Sequence, residues 1–267
     1  MADVPDHIHK LAATHCEPLF LSLPFIGNGH NADKANGTIT FIEYKRRIFG
    51  VTCAHIYDEQ IPSGKWLTLH GSKNYAYQLA TFTPEGYISL FRPLRDRISD
   101  RGPDIAIIEL GESVREIHFE RKGKQAINLD NWVEPNWSEI TVPVAFGYPT
   151  EHKSKSENDI SSPLIAVAAE ATRPITETDE SFLLASSLEV ENTFFFSGMS
   201  GGPVYHVPDS DAAPIIIGIV FEGVPGSSKE WESRDEQSFL TSNDIQIRAH
   251  TLTPKVFDQW LRQARFL

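Results

Sequence analysis

Phe196-Ser197-Gly198-Met199-Ser200-Gly201-Gly202-Pro203 is the stretch on which the fold turns. Three glycines around one serine free the backbone to adopt conformations that a Cβ forbids, so the chain can fold tightly about a single hydroxyl. In such a turn the N–H groups of Gly198 and Ser200 converge on one point, where they polarise a carbonyl without using a side chain. The run that follows, Val204-Tyr205, reads as strand. The serine therefore sits on a turn leading into a sheet.

Working outward, the chain reads as short strands and turns. Gly37–Tyr44 and Arg47–Thr52 flank the basic run Lys45-Arg46-Arg47 and resemble a hairpin with a solvated tip. Trp66–Leu69 and Tyr75–Leu79 continue the pattern. Asp104–Leu110 is a dense apolar run too short for an independent helix, and reads as a buried strand. Residues 115–137 are largely polar and broken by Pro135. A second strand-rich half follows, with Ile140–Gly147, Leu164–Ala168 and Ile215–Phe221, and a charged surface loop is expected over Glu151–Asp159. At the C-terminus Thr253 is suited to cap a helix that Pro254 opens, with Val256, Phe257, Trp260, Leu261 and Ala264 on one face. The expected division is an N-terminal extension and first β-barrel over 1–118, a connection over 119–137, a second barrel over 138–252 and a helix over 253–267.

Composition narrows the function. A net charge of -12 leaves no broad excess of Lys and Arg for phosphates, so nucleic acid is not an expected partner. No apolar run reaches the roughly 18 residues of a spanning helix, and the N-terminus has no secretory pattern. Two cysteines, Cys16 and Cys53, are too few for a disulfide framework. A cytoplasmic protein without membrane partners is expected.

Acyl transfer to a serine needs a hydroxyl, a base, a carboxylate that orients the base, and donors for the oxyanion. Ser200 supplies the hydroxyl, with the Gly198 and Ser200 amides as donors. Val51-Thr52-Cys53-Ala54-His55 ends an apolar strand on a histidine that a fixed scaffold can aim. Asp104 directly precedes the buried run beginning at Ile105. The order His55, Asp104, Ser200, with the serine inside Gly198–Pro203, resembles the trypsin/chymotrypsin-like serine peptidases, and the separations lie in that family's usual range. The resemblance implies an all-β chain of two six-stranded antiparallel barrels with the cleft between them. It implies a polypeptide substrate, an acyl-enzyme formed with His55 as base and then acid, and neither metal nor cofactor. It also implies a substrate pocket near Phe194 and Phe195, walled by Phe221, Glu222 and Gly223. With no Asp at the pocket base and no His in the wall, cleavage after a small or apolar residue is expected.

Met199 departs from the secreted members, which carry there an Asp that pairs with a freshly cut N-terminus. The chain is closer in this respect to bacterial members such as the HtrA protease domain, without a PDZ domain. Phe221 departs too, since relatives often place a Ser or Thr there to support the catalytic Asp. Cys53 stands where a small residue is usual, and a buried inert thiol is expected. Two other readings stay open. One is a two-barrel module that acts by binding, or a protease held latent until a regulatory protein or ligand orders it. The other is the Gly-x-Ser-x-Gly elbow of an α/β-hydrolase-type esterase, with Asp244 and His250 completing the set. That elbow requires strand–helix alternation, which the preceding half lacks.

Overall fold

Apolar alternation in Thr38–Tyr44 and Arg47–Thr52 closes into an antiparallel hairpin in the computed structural model. The structure describes residues 4–22, 37–63, 66–70, 76–83, 86–89, 91–96, 98–99, 101–156, 159–187, 196–208, 212–224 and 244–267. Lys45 and Arg46 form the hairpin tip with φ of 51° and 61°, both left-handed, as a two-residue turn of primed type demands. The tip is more than a solvated edge. Lys45 pairs with Asp258 of the C-terminal helix at 2.6 Å, and Arg47 with Glu109 of the neighbouring strand at 2.7 Å.

The first sheet runs in the order Ala76–Gln78, Trp66–His70, Cys16–Ser22, Thr38–Tyr44, Arg47–Thr52, Ala106–Glu109, Arg92–Pro93, with Ile127–Asn128 added parallel to Thr38–Tyr44. Cys16–Ser22 bends the sheet by changing partner midway: Cys16 to Pro18 pair with Thr38 to Thr40, and Leu19 to Ser22 with Trp66 to Leu69. The second sheet runs Ile165–Ala168, Val144–Gly147, Pro203–His206, Ile215–Val224, Asp244–Thr251, Ser181–Ser187, Glu170–Ala171. Its two end strands are separated by the single residue Ala169, so the sheet curls round on itself. Eight and seven strands take part among the described residues. Setting aside the two-residue strands Arg92–Pro93, Ile127–Asn128 and Glu170–Ala171 leaves the expected six in each. The protein is thus mostly β, with two curled, essentially antiparallel sheets of barrel-like shape. Strand–helix alternation is not its plan, and the α/β-hydrolase reading falls with it.

Each sheet encloses its own apolar core, and a third core lies between them. Leu19, Phe41, Leu67, Leu69 and Ile108 fill the first, and Ala145, Val167, Leu184, Val204 and Ile247 the second. Between them, Phe49 and Ile107 meet Phe146, Tyr205 and Ile219. Both terminal helices seal this junction. The C-terminal helix Pro254–Gln263 contributes Phe257, Trp260 and Leu261, and Thr253 caps it by accepting the Val256 amide at 3.2 Å. The N-terminal helix Asp6–His15, which was not expected, contributes Ile8 and Ala12, one turn apart.

Three further segments differ from expectation. Ala54–Ser63, just past the strand end, is helical. Arg115–Arg121, within the polar connection, forms a π-helical turn that buries His118 beside Glu17 at 2.7 Å, with Lys122 completing the ion cluster at 2.9 Å. Burial opposes charge on Glu17, but the His118 ring and the Lys122 and Lys124 ammonium groups hold its carboxyl below the usual range. The charged stretch after Pro149 is not all surface loop. It forms the turn Thr150–His152 and the small hairpin Ser154–Ser156 with Asp159–Ser161, and Lys153 between them is buried.

Candidate active site

His55 and Asp104 come from the first sheet. Arg47–Thr52 ends at Cys53 and Ala54, both fully buried, so the first turn of Ala54–Ser63 starts from a fixed anchor and carries His55 out beside it. Asp104 lies in the short corner before strand Ala106–Glu109. The His55 amide donates to Asp104 Oδ1 at 2.9 Å, and His55 Nδ1 lies 2.6 Å from Oδ2. One carboxylate thus grips the main chain and the ring of one residue. With the proton held on Nδ1, Nε2 is left as the basic nitrogen. Burial disfavours the Asp104 carboxylate. The His55 ring and amide, with Arg95 Nη1 at 3.8 Å, outweigh it and hold the carboxyl below its usual range.

Ser200 comes from the second sheet, on two consecutive tight turns. Met199 N–H donates to Phe196 O at 3.0 Å and Gly202 N–H to Met199 O at 2.8 Å. Gly198 and Gly201 occupy the third position of these turns, with φ of 98° and 90°. That left-handed region is where a type II turn needs glycine. The carbonyls are then taken up one by one. Thr150 N–H donates to Ser197 O at 2.6 Å, Thr38 Oγ1 to Gly198 O at 2.9 Å, Thr38 N–H to Ser200 O at 2.8 Å and Thr40 Oγ1 to Gly201 O at 2.7 Å. Val220 N–H takes Gly202 O at 2.8 Å, and Gly201 N–H returns to Val220 O at 2.7 Å. From Gly198 to Gly202, the amides left without an acceptor among the described residues are those of Gly198 and Ser200. A trans peptide points its N–H away from its C=O. Because Ser197 O faces Thr150, the Gly198 N–H points to the opposite side.

The two halves meet without closing the expected chain of hydrogen bonds. Ser200 Oγ donates to Phe221 O at 3.2 Å, and no hydrogen bond joins it to His55. Cys53 lies at the meeting point. Its thiol is buried against Ser200, donates to Val220 O at 3.2 Å, and lies within 4.8 Å of ligand atoms of His55 and Asp104. Cys53, His55 and Asp104 are the one group of metal-ligating side chains drawn together among the described residues. Burial pushes the thiol well above its ordinary pKa, and His55 and Asp104 already occupy each other. The set suits a held imidazole better than a cation.

The expected pocket is only partly described. Phe194 and Phe195 lie outside the described residues. Phe221 is the extra residue of a β-bulge: Val220 pairs with Ala249 and Glu222 with Arg248, leaving Phe221 unopposed. Its ring stacks on His250, centroids 4.3 Å apart, and packs against the first core. Glu222 is exposed and pairs with Arg248 at 3.0 Å. A side chain at Gly223 would strike Phe196, its Cβ falling 2.5 Å from that of Phe196.

The sequence did not point to Thr38, Thr40 and Thr150, which hold the serine turn, or to Arg95 beside Asp104, and it offered His250 only as the base of the hydrolase reading, not as a neighbour of Asp104. Two threonines at alternate positions of one strand share a face, and that spacing was the available signal for the first pair.

Two barrels with a serine, a histidine and an aspartate gathered at their junction define the class of architecture. Neither a protein-family model nor a curated protein matches the sequence. Among solved structures, the chain is similar to a thermostable serine protease from an extremophilic microorganism, at 11% identity and a TM-score of 0.46, over 96% of this chain and 99% of that one.

Proposed function

We propose that this chain is a serine endopeptidase that cleaves polypeptides through Ser200, His55 and Asp104. The observation that carries the reading is the serine turn, where the two free amides are the donors an oxyanion requires. Rotation about the Cα–Cβ bond of Ser200 would turn Oγ from the Phe221 carbonyl toward His55 Nε2, which takes its proton as Oγ attacks the scissile carbonyl. The developing oxyanion accepts from Gly198 and Ser200, and His55 then protonates the leaving amine. Water repeats the sequence on the acyl-enzyme and frees Ser200.

Met199 is fully buried in the second core, so an apolar contact stands where secreted relatives use a carboxylate paired to a new N-terminus. On that ground we place the chain with bacterial-type members such as the HtrA protease domain, and read it as an intracellular enzyme under partner or ligand control. A latent binding module is the second reading, favoured by the Ser200–Phe221 hydrogen bond, which engages the nucleophile away from its base.

A fluorophosphonate probe separates the two. The wild type is expected to label and Ser200→Ala to remain blank. Iodoacetamide should leave labelling intact, because Cys53 is buried and protonated. Failure of the wild type to label, alone or with cell extract, would favour the binding module.

A further inference from the structure

Phe221 removes the hydroxyl that relatives aim at their catalytic Asp, and the structure has a different arrangement at that place. His250 belongs to Asp244–Thr251, whose alternate residues Ile245, Ile247 and Ala249 face the second core. The side chain of His250 is therefore on the other face, toward the first sheet. Its Nε2 lies 3.1 Å from the Asp104 amide nitrogen. An amide N–H can only donate, so Nε2 is the acceptor and the ring proton is on Nδ1, on the side of the Glu180 carbonyl. The ring is clamped between Phe221, stacked at 4.3 Å and 27°, and Trp260, edge-on at 6.3 Å and 83°. Both clamps have structural reasons to be there. The bulge turns Phe221 onto the ring, and the capped C-terminal helix presents Trp260.

We propose that His250 is a positioning residue for the reaction, holding the Asp104 main chain so that its carboxylate meets both the amide and the ring of His55. The proposal rests on reading Ser200, His55 and Asp104 as the catalytic set. His250 touches neither substrate nor the reacting atoms; it acts through Asp104. The corner needs such a hold, since Asp104 follows Gly102, at φ 99°, and Pro103, which has no N–H to donate. The charged groups facing the His250 ring are Asp104 and Glu180, with Arg95 beyond Asp104. Burial lowers the affinity of the ring for a second proton. When that proton does bind, Nε2–H confronts the Asp104 N–H and the hold is lost.

The test uses the full chain and three readouts. His250→Ala is expected to lower the rate of fluorophosphonate labelling by about 10- to 100-fold, the scale set by small misplacements of a catalytic group. His250→Gln should restore most of that rate, because its amide oxygen accepts from Asp104 while its NH2 faces Glu180. On the acid side the wild-type rate should fall additionally as a proton binds His250 Nε2 and releases Asp104, and that component should be absent from His250→Gln, which has no titrating ring. Independently of any activity, nitrogen NMR should find the Nδ1–H tautomer at His250, and exchange of the Asp104 amide should quicken in His250→Ala but not in His250→Gln. A proton found on Nε2, or labelling of His250→Ala at the wild-type rate and pH profile, overturns the proposal. Should His250→Ala not fold, the Gln variant, tautomer and profile still decide it. An unlabelled wild type with the expected tautomer and exchange would remove the peptidase reading while leaving His250 as the holder of Asp104.

Discussion

The Ser200 turn and the Asp104 corner face each other across one junction, and they are secured by opposite means. The serine turn is held through its main chain: every carbonyl from Ser197 to Gly202 accepts a hydrogen bond, mostly from main-chain amides and short threonine hydroxyls. The Asp104 corner is held through rings and charges, with His55, His250 and Arg95 around a single residue. The first arrangement has no slack, because a peptide plane is rigid and a left-handed glycine admits no substitute. The second grades its contributions, since each side chain adds a term that burial strengthens and solvent weakens. Substitutions in the turn should therefore act nearly all-or-none, and those around the corner in steps.

Gly198→Ala is the strongest test. A Cβ there would lie 2.7 Å from Thr150 Oγ1, 2.8 Å from Tyr148 O and 2.9 Å from Thr150 N, at a φ that L residues avoid. The Ser197–Gly198 peptide must rotate, and one of the two donors proposed for the oxyanion goes with it. Fluorophosphonate labelling should drop by about 10²- to 10³-fold while circular dichroism still reports a folded chain. A variant labelling within a few-fold of wild type would break the claim that this turn lacks slack. Thr38→Val comes next. It deletes the donor to Gly198 O and the acceptor of the Tyr148 amide, both buried, in a side chain of the same shape. A stability loss of about 1–3 kcal/mol by urea titration should accompany a roughly tenfold drop in labelling, and Thr38→Ser should recover both.

What the sequence disclosed follows the same division. Gly198, Ser200 and Gly201 were legible because their chemistry is local: turn geometry needs glycine at fixed offsets, whatever the rest of the chain does. The hairpin at Lys45 and the C-terminal helix were legible for the same reason. At the corner the pairing of His55 with Asp104 was legible from order and spacing, but Arg95 and His250 were not, because their contacts join residues distant in the chain. His250 alternates with Arg248 and Gln246, so periodicity alone gives it a solvent face, and only the approach of the first sheet covers it. The helix Asp6–His15 offers only Ile8 and Ala12 as a buried pair, too narrow a stripe to announce itself. Glu17 and His118 each read as ordinary polar residues until the fold buries them together.

Arg95 provides the weakest and most discriminating test of the corner. Its guanidinium is 3.8 Å from Asp104, at the edge of an ion pair, and its side chain is 32% exposed. Solvent and salt therefore screen most of its effect. It is nonetheless one of the groups that hold the Asp104 carboxyl below its usual range. A carboxyl depressed on folding adds stability above its unfolded pKa and loses it as pH falls through the folded one. Without Arg95 the folded value moves back toward the unfolded one, so acid unfolding should begin at slightly higher pH. Arg95→Gln should cost no more than about threefold in labelling rate at low ionic strength, and nothing measurable once salt shortens the Debye length to a few ångströms. A loss that persists in high salt would mean that Arg95 fixes Asp104 by geometry rather than by charge. The corner would then be as rigid as the serine turn opposite.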